Sequence, residues 1–331
     1  MACDDFLTVT IAKNNKPSIY LDTCAMIELS RYEKGICKNE HSKKIGELYN
    51  VLTALMREKR ILCPSGNQLQ EMGMTANRKS ARSFLYQFTN CELFHPELVQ
   101  IRQMQAGYHA FSSNCSAIEL DIHTAFEEKR YLDSPFDIRV DLVCSPQKAA
   151  DLSEEKKNVA AILNEMKSNK LVEATFEELL HIELEAEYIL FISALSDSMA
   201  SDKACMRYLE EIEKFYRITG FSPTTDTEQH KNHLASYTAF LLSSYHDVLP
   251  YIWIRASMWT HIMRRKKTVL HSDNLDIQWA AAYLPFVDYV VTDNACYRLL
   301  QESRLAERYG TKVYSFKTLE SLLDELACLN N

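Results

Sequence analysis

Glycine is scarce in this chain, with only seven among 331 residues, whereas an average protein contains roughly 7 % glycine. The sequence accordingly lacks the glycine-rich loops of dinucleotide-binding folds and P-loop NTPases, and it lacks the G-x-S-x-G motif of α/β-hydrolases. The ten cysteines include no C-x-x-C pair, which argues against a zinc ribbon or a redox motif. Low glycine content also favours helix over turn-rich β structure.

Long apolar runs are also missing. No segment approaches the roughly 20 apolar residues of a membrane helix, and the N-terminus lacks the basic-then-apolar order of a secretory signal. We therefore expect a cytoplasmic protein with no membrane partner. The formal net charge of −8 excludes a surface that is basic throughout, so any contact with nucleic acid must use local basic patches.

The hydrophobic pattern differs between the ends and the middle of the chain. Short strand-like runs alternate with helical patterns near both ends, which indicates a parallel sheet flanked by helices. The middle has apolar residues at three- and four-residue spacings, which is typical of helices. We predict an α/β fold with core segments at 1–96 and 268–331, interrupted by a mostly α-helical insertion at 97–267.

Local patterns also predict individual elements. The predicted strands cover 18–21, 61–63, 92–94, 289–292 and 312–316. The predicted helices cover 23–33, 46–59, 67–74, 79–88, 152–167, 176–194, 203–216, 234–245, 275–283, 295–307 and 319–326, and a loop is predicted at 219–227.

Four carboxylates occupy informative places in this pattern. Asp22 and Asp293 each end a predicted strand, Glu71 lies on the helix after the second core strand, and Asp276 lies in the first turn of an alanine-rich helix. Functional groups of open α/β sheets collect at the carboxyl ends of strands, so we expect these acids to converge. Clustered carboxylates raise one another's pKa, and oxygen-only ligands suit Mg²⁺ or Mn²⁺. Two such ions activate a water and stabilise the leaving oxygen of a phosphodiester.

Four segments carry a resemblance to a known family: IYLDTCAMIEL, ILCPSGNQLQEM, SDNLDIQWAAAYLPFVDYVVTDNACYRLL and KVYSFKTLESLL. Together they resemble the PIN-domain nucleases, whose acids end the first strand, follow the second strand and bracket a later helix–strand unit. The resemblance implies that Asp22, Glu71, Asp276 and Asp293 are catalytic metal ligands. It also implies an endonuclease that prefers RNA to single-stranded DNA, used in this family as a toxin, a processing factor or a defence effector.

Further residues have expected roles around these acids. Asp273 is a candidate additional metal ligand, and Thr292 matches a recurrent family hydroxyl. The candidate substrate-binding residues are Thr292, Arg78, Lys79, Arg82, Arg264 and Arg265. The stretch between Glu71 and Asp276 is several times longer than in a minimal PIN domain, which suggests a protein regulator or a homo-oligomer contact on the helical insertion.

Each assignment has a structural alternative. Asp22, Asp273 and Asp276 are placed where they can support helix starts, Asp293 can be a turn residue before Asn294, and Glu71 and the basic residues can lie on solvated faces. Trp253 and Trp259 are expected in the core, with base stacking as the alternative. A non-catalytic helical interaction protein on a degenerate PIN-like core is the competing function. A haloacid-dehalogenase-like phosphatase is disfavoured, because its D-x-D motif would need an acid where Cys24 stands.

Overall fold

The structure is a computed structural model that describes residues 8–37, 40–68, 78–127, 174–199, 206–220, 228–242 and 249–329, with most of 158–168. Its strands are β1 (Thr8–Ile11), β2 (Ile19–Leu21), β3 (Pro64–Ser65), β4 (Cys91–Leu93), β5 (Ala117–Leu120), β6 (Phe126–Glu127), β7 (Tyr289–Thr292) and β8 (Lys312–Ser315). Its helices are α1 (Thr23–Glu33), α2 (Ser42–Arg57), α3 (Arg78–Phe88), α4 (Pro96–Ser112), α5 (Phe176–Met199), α6 (Met206–Thr219), α7 (Glu228–Leu242), α8 (Pro250–Arg264), α9 (His271–Tyr283), α10 (Asn294–Glu302), α11 (Leu305–Arg308) and α12 (Leu319–Cys328). Short 3-10 turns cover Ile122–Thr124 and Phe316–Thr318.

Strand β2 lies at the centre of the main group of strands. It pairs in parallel with β7, which pairs in parallel with β8. On its other side a parallel bridge between Ser18 and Leu62 leads to β3, which is parallel to β4, and β6 closes the edge as an antiparallel strand. The spatial order is thus β6, β4, β3, β2, β7, β8. The mixed α/β class with parallel strands, predicted from the sequence, is confirmed.

Both faces of this sheet are covered. Side chains alternate between faces along a strand, and the two hydrophobic clusters divide the strand residues accordingly. Tyr20 and Val290 belong to one cluster, whereas Ile19, Leu21 and Val291 belong to the other. All of them are at most 1 % exposed. A strand buried on both faces reads as a continuous apolar run, which is why the sequence pattern identified β2 and β7.

The helices within 97–267 share a core with the sheet. One hydrophobic cluster joins Tyr20 of β2 and Trp279 of α9 to residues of α4, α5, α6, α7 and α8, such as Leu184 and Tyr237. The opposite face is covered by α1, α2, α3 and α12. The described part of the predicted insertion therefore forms one cover of the sheet. None of the helices in the described part has both the length and the apolar character that a membrane span requires.

A buried ion pair joins two of these covering helices. Arg255 of α8 donates through Nε to Oε2 of Glu187 of α5 at 2.6 Å, and their side chains are 15 % and 4 % exposed. Burial is the largest single influence on Arg255 and lowers its pKa, but the charges and hydrogen bonds of Glu187 and Tyr251 together raise the pKa above its usual value. Burial raises the pKa of the neighbouring Tyr251 to about 12, so that hydroxyl stays neutral at physiological pH.

Several predicted strand bounds are wrong. Strands β1, β5 and β6 were not predicted, since runs of two to four residues carry too little periodicity to be recognised. The predicted strand 61–63 contains only an isolated bridge at Leu62, and the regular strand begins after it. Pro64 itself opens β3, a position where its missing N–H is tolerated.

Two predicted helices also differ from the structure. The helix predicted at 275–283 begins at His271, so Asp276 lies in its second turn and Asp273 in its first. The helix predicted at 295–307 is two helices, because Arg304 adopts a left-handed conformation at φ 55° that ends the regular path. Residues 69–74 of the predicted helix 67–74, most of the predicted loop 219–227 and the start of the predicted helix 152–167 lie outside the described residues.

Candidate functional site

Asp22 follows the central strand and is held at three points. Its backbone N–H donates to the carbonyl of Val291 at 3.0 Å, which continues the pairing of β2 with β7. Its Oδ1 accepts the N–H of Cys24 at 2.6 Å and caps α1. Its Oδ2 accepts the hydroxyl of Thr292 at 2.5 Å. Asp22 is only 6 % exposed, so these contacts hold a carboxylate almost entirely inside the protein.

Asp293 has the equivalent position at the end of the neighbouring strand. It caps α10, and its Oδ1 accepts the N–H groups of Ala295 at 2.6 Å and Cys296 at 2.9 Å. No described residue donates a hydrogen bond to its Oδ2. The capping alternative predicted for Asp22 is therefore realised, and Asp293, for which the alternative was a turn residue, also caps a helix. Capping by Asp293 uses one carboxylate oxygen and leaves the other for a further contact.

Asp276 reaches the same region from α9. Its Oδ1 lies 3.4 Å from the indole Nε1 of Trp279, one turn further along the helix. Trp279 is 1 % exposed and packs against Tyr20 of the central strand, with ring centroids 5.2 Å apart. Because Asp276 lies beyond the first turn, the interpretation of this residue as a helix-start residue is wrong.

Two thiols lie near the three aspartates, the partly buried Cys24 and the buried Cys296. Burial is the largest influence that raises the pKa of Cys24, and the charges of Asp22, Asp293 and Asp276 raise it further. Burial also raises the pKa of Cys296, again with contributions from Asp276, Asp22 and Asp293. The same three carboxylates act on both thiols, so they lie at the same end of the central strands although positions 22 and 293 are near opposite ends of the chain.

Burial and a neighbouring carboxylate both affect the pKa of Asp22. Burial raises the pKa of Asp22, and the charge of Asp293 adds to the increase. The hydrogen bonds from Thr292 and Cys24 act in the opposite direction, because they stabilise the ionised form. Within the described part of the chain, no three acidic, histidine or cysteine side chains are arranged as a ready metal-binding group. Glu71, the fourth predicted ligand, lies outside the described residues.

The segment that precedes Glu71 is anchored beside Asp22. Gln68 is fully buried, and its Nε2 donates to the carbonyl of Leu21 at 2.6 Å, one residue before Asp22. Its Oε1 accepts the N–H of Gly66 at 2.6 Å. The chain therefore enters the undescribed stretch 69–77 from a point at the carboxyl end of β2.

The remaining predicted residues are distributed as follows. Asp273 accepts the N–H of Leu270 at 2.7 Å and so supports the start of α9, as its structural alternative predicted. The backbones of the predicted substrate-binding residues Arg78, Lys79 and Arg82 lie on α3, but their side chains are outside the described part.

Arg264 and Arg265 lie at the far end of α10 from Asp293. Arg265 pairs with Glu302, the last residue of α10, at 2.6 Å. The nine residues of α10 span about 13 Å at 1.5 Å per residue. These two arginines therefore lie away from the three aspartates, and their role in binding substrate stays a prediction.

The topology explains why this edge of the sheet is a candidate site. From β2 the chain continues to β3 and β4 on one side, whereas β7 and β8 lie on the other side. Asp22 and Asp293 follow the two strands at which this order reverses. Ligands of open α/β sheets bind in the crevice at such switch points.

Sequence reasoning missed Cys24, Cys296, Gln68 and Trp279 as residues of this region. A signal existed for the cysteines, because each lies two or three residues after an aspartate that ends a predicted strand, and so at the start of the helix that follows. Comparison of the chain with protein-family models, with curated proteins and with solved structures returned no match.

Proposed function

We propose that this protein is a metal-dependent endonuclease with a PIN-like core, and that its substrate is RNA. The convergence of Asp22, Asp276 and Asp293 at the switch point of a parallel sheet carries the proposal. Metal-dependent hydrolysis of a phosphodiester requires several carboxylate ligands close together. These three aspartates supply them from distant parts of the chain.

The positions of the acids support the PIN-like assignment. Asp22 follows the first strand of the central pair, Asp293 follows the second, and Asp276 lies on the helix between them. Gln68 ties the segment leading to Glu71 to the residue before Asp22. The resemblance implies this order of strands and acids along the chain, and we propose that the three aspartates hold the cations together with Glu71.

The donor set fits Mg²⁺ or Mn²⁺. Asp22, Asp276, Asp293 and Glu71 offer only oxygen, which these hard cations prefer. The raised pKa of Cys24 and Cys296 keeps both thiols protonated, so they do not compete as ligands for softer metals. The bound cations would supply an activated water for hydrolysis of the phosphodiester.

The chain's own residues prepare the carboxylates for this task. The hydroxyl of Thr292 fixes Oδ2 of Asp22 and favours its ionised form against the effect of burial. The indole of Trp279 orients Asp276, and the buried contact of Trp279 with Tyr20 keeps that indole in place. These contacts preorganise the ligand oxygens before any ion arrives.

The direct test is cleavage of single-stranded RNA in the presence of Mn²⁺ by the wild type and by Asp22→Asn. Asparagine preserves the helix cap but removes the charge. We expect a loss of at least about 100-fold, since even the partners of metal ligands contribute 10- to 100-fold. Asp324→Asn, which removes an exposed acid from α12, is the matched control and retains full activity. Equal cleavage by Asp22→Asn and the wild type would remove the proposed mechanism.

A second candidate function is a non-catalytic interaction protein on a degenerate core. The capping roles of Asp22 and Asp293 favour it, because a silent core would keep both residues for helix stability. Calorimetric titration with Mn²⁺ separates the two. Binding that is lost in Asp22→Asn supports the nuclease, and no binding at millimolar Mn²⁺ supports the interaction protein.

A further inference from the structure

A second site lies at the opposite end of α10 from the three aspartates. It is a cleft of about 590 Å³ between α8 and the turn that joins α10 to α11. Its lining includes Phe176, Trp253 and His261 on one side and Arg304 and Arg308 on the other. The volume is within the range of small-molecule and cofactor sites.

Aromatic rings and cations alternate along this cleft. The guanidinium of Arg308 lies over the indole of Trp253 at 4.7 Å, and that of Arg264 lies over the ring of Phe176 at 5.8 Å. The Phe176 and His261 rings are 4.9 Å apart. Indole rings and guanidinium planes are both surfaces on which unpaired nucleobases stack.

The charge around the cleft is opposite in sign to that of the whole chain. Arg304 and Arg308 line the cleft together with Glu302 and Glu307, and Arg304 pairs with Glu307 at 2.8 Å. Arg264, over the ring of Phe176, and Arg265, paired with Glu302, lie next to the lining. The exposed Lys266 and Lys267 follow these two arginines in the sequence. Burial lowers the pKa of His261, with Arg265 adding to the effect, so that ring carries no charge at neutral pH. With the adjoining Arg264 and Arg265, arginines outnumber the two lining glutamates at this cleft, on a chain of net charge −8.

We propose that this cleft binds a segment of single-stranded RNA, with bases stacked on the Trp253–Arg308 pair and on Phe176, and phosphates contacted by the surrounding basic side chains. The proposal rests on the proposed function for its link to cleavage, since the same strand would run on to Asp22 and Asp293. The length of α10 separates the two sites by about 13 Å. At about 3.4 Å per stacked nucleotide, the strand between them has about four nucleotides.

The first experiment measures binding without cleavage. Fluorescence anisotropy in EDTA compares a labelled single-stranded RNA of ten nucleotides with the corresponding duplex. We expect Trp253→Ala to weaken binding about 5- to 150-fold, as expected for the loss of one stacked base. Trp253→Phe, which keeps an aromatic face, stays close to the wild type. The duplex, whose bases are already stacked, binds several-fold more weakly than the single strand.

A second variant keeps the test decisive if Trp253→Ala loses its fold. Arg308→Gln is expected to lower the slope of log K against log salt by about 0.7, the value for one phosphate contact with a single strand. Arg57→Gln removes the same charge from the end of α2 and leaves the slope unchanged. Equal binding by the wild type and Arg308→Gln, with equal slopes, overturns the proposal. So does tighter binding of the duplex, which would indicate a non-specific electrostatic surface.

The third measurement connects the cleft to cleavage. Arg57→Gln and the wild type should cleave alike, whereas Arg308→Gln raises the KM for a ten-nucleotide RNA and leaves kcat unchanged. For a trinucleotide, which cannot reach both sites, Arg308→Gln and the wild type have the same KM. If the cleft variants bind RNA weakly but neither the wild type nor any variant cleaves it, the proposed nuclease function is wrong and RNA binding by the cleft is supported. If Asp22→Asn abolishes cleavage while the cleft variants bind as the wild type does, only the cleft proposal fails.

Discussion

Replacing Thr292 with valine removes the hydroxyl that contacts the buried carboxylate of Asp22 and leaves the side-chain volume almost unchanged. Thr292 is fully buried, and its Oγ1 lies 2.5 Å from Oδ2 of Asp22. A hydrogen bond to a charged group contributes about 1.5–3 kcal/mol. We therefore expect Thr292→Val to lower the free energy of unfolding by about 1.5–3 kcal/mol at neutral pH.

The pH dependence of this loss identifies its cause. Burial raises the pKa of Asp22, and the hydrogen bond from Thr292 is the largest opposing influence. Without that donor the pKa of Asp22 rises further. The hydroxyl stabilises the ionised carboxylate most, so the penalty of Thr292→Val is complete above the pKa of Asp22 in the folded protein. The penalty becomes smaller as the pH falls through that pKa and Asp22 takes up a proton.

Thermal unfolding of Thr292→Val, Thr292→Ser and the wild type between pH 4 and pH 8 measures this effect. For a chain of this size the expected decrease in Tm for Thr292→Val is about 2–4 °C at pH 8, with a smaller decrease at pH 4. Thr292→Ser keeps the hydroxyl and loses only a buried methyl group, so its smaller deficit should not vary with pH. A Thr292→Val deficit that is the same at every pH would refute the role assigned to this hydroxyl.

The remaining predictions concern the energetic cost of buried charge. The pKa of Asp22 is raised in the folded protein. The folded protein therefore loses stability as the pH rises from about 3.9, the usual aspartate value, through that raised pKa. We therefore expect Asp22→Asn to have a higher Tm than the wild type at pH 7, with the difference disappearing near pH 3.9 or below; a lower Tm at pH 7 would contradict this. Arg255→Met leaves Glu187 buried without its partner and should lower the free energy of unfolding by about 3–5 kcal/mol in urea titration. The double variant Glu187→Met with Arg255→Met should recover most of that loss, and a double variant as unstable as Arg255→Met alone would show that the ion pair is not the cause.

The central strands were predictable because their signal is local. Ile19, Tyr20 and Leu21 are apolar without interruption, as are Val290 and Val291, since both faces of the sheet are covered. The aspartates after these strands were predictable for the same reason, because each ends a hydrophobic run and begins a helix.

Elements whose signal is short or non-local were not predictable. β5 and β6 have only four and two residues, and they exist because distant partner strands are available to pair with them. The early start of α9 follows from the backbone contact between Asp273 and Leu270, which the alanine-rich pattern did not reveal.

The sequence by itself determined which acids end the strands, the absence of glycine-loop nucleotide motifs and the α/β class, because these depend on residue type and short periodicity. Only the tertiary structure decided that Asp276 faces Asp22 and Asp293 and that Arg265 lies at the far end of α10. It also brought Trp253 against Arg308, through the break in the helix at Arg304. Such contacts depend on how helices pack against the sheet, and packing is decided by the summed burial of many side chains, which no local stretch of the chain encodes.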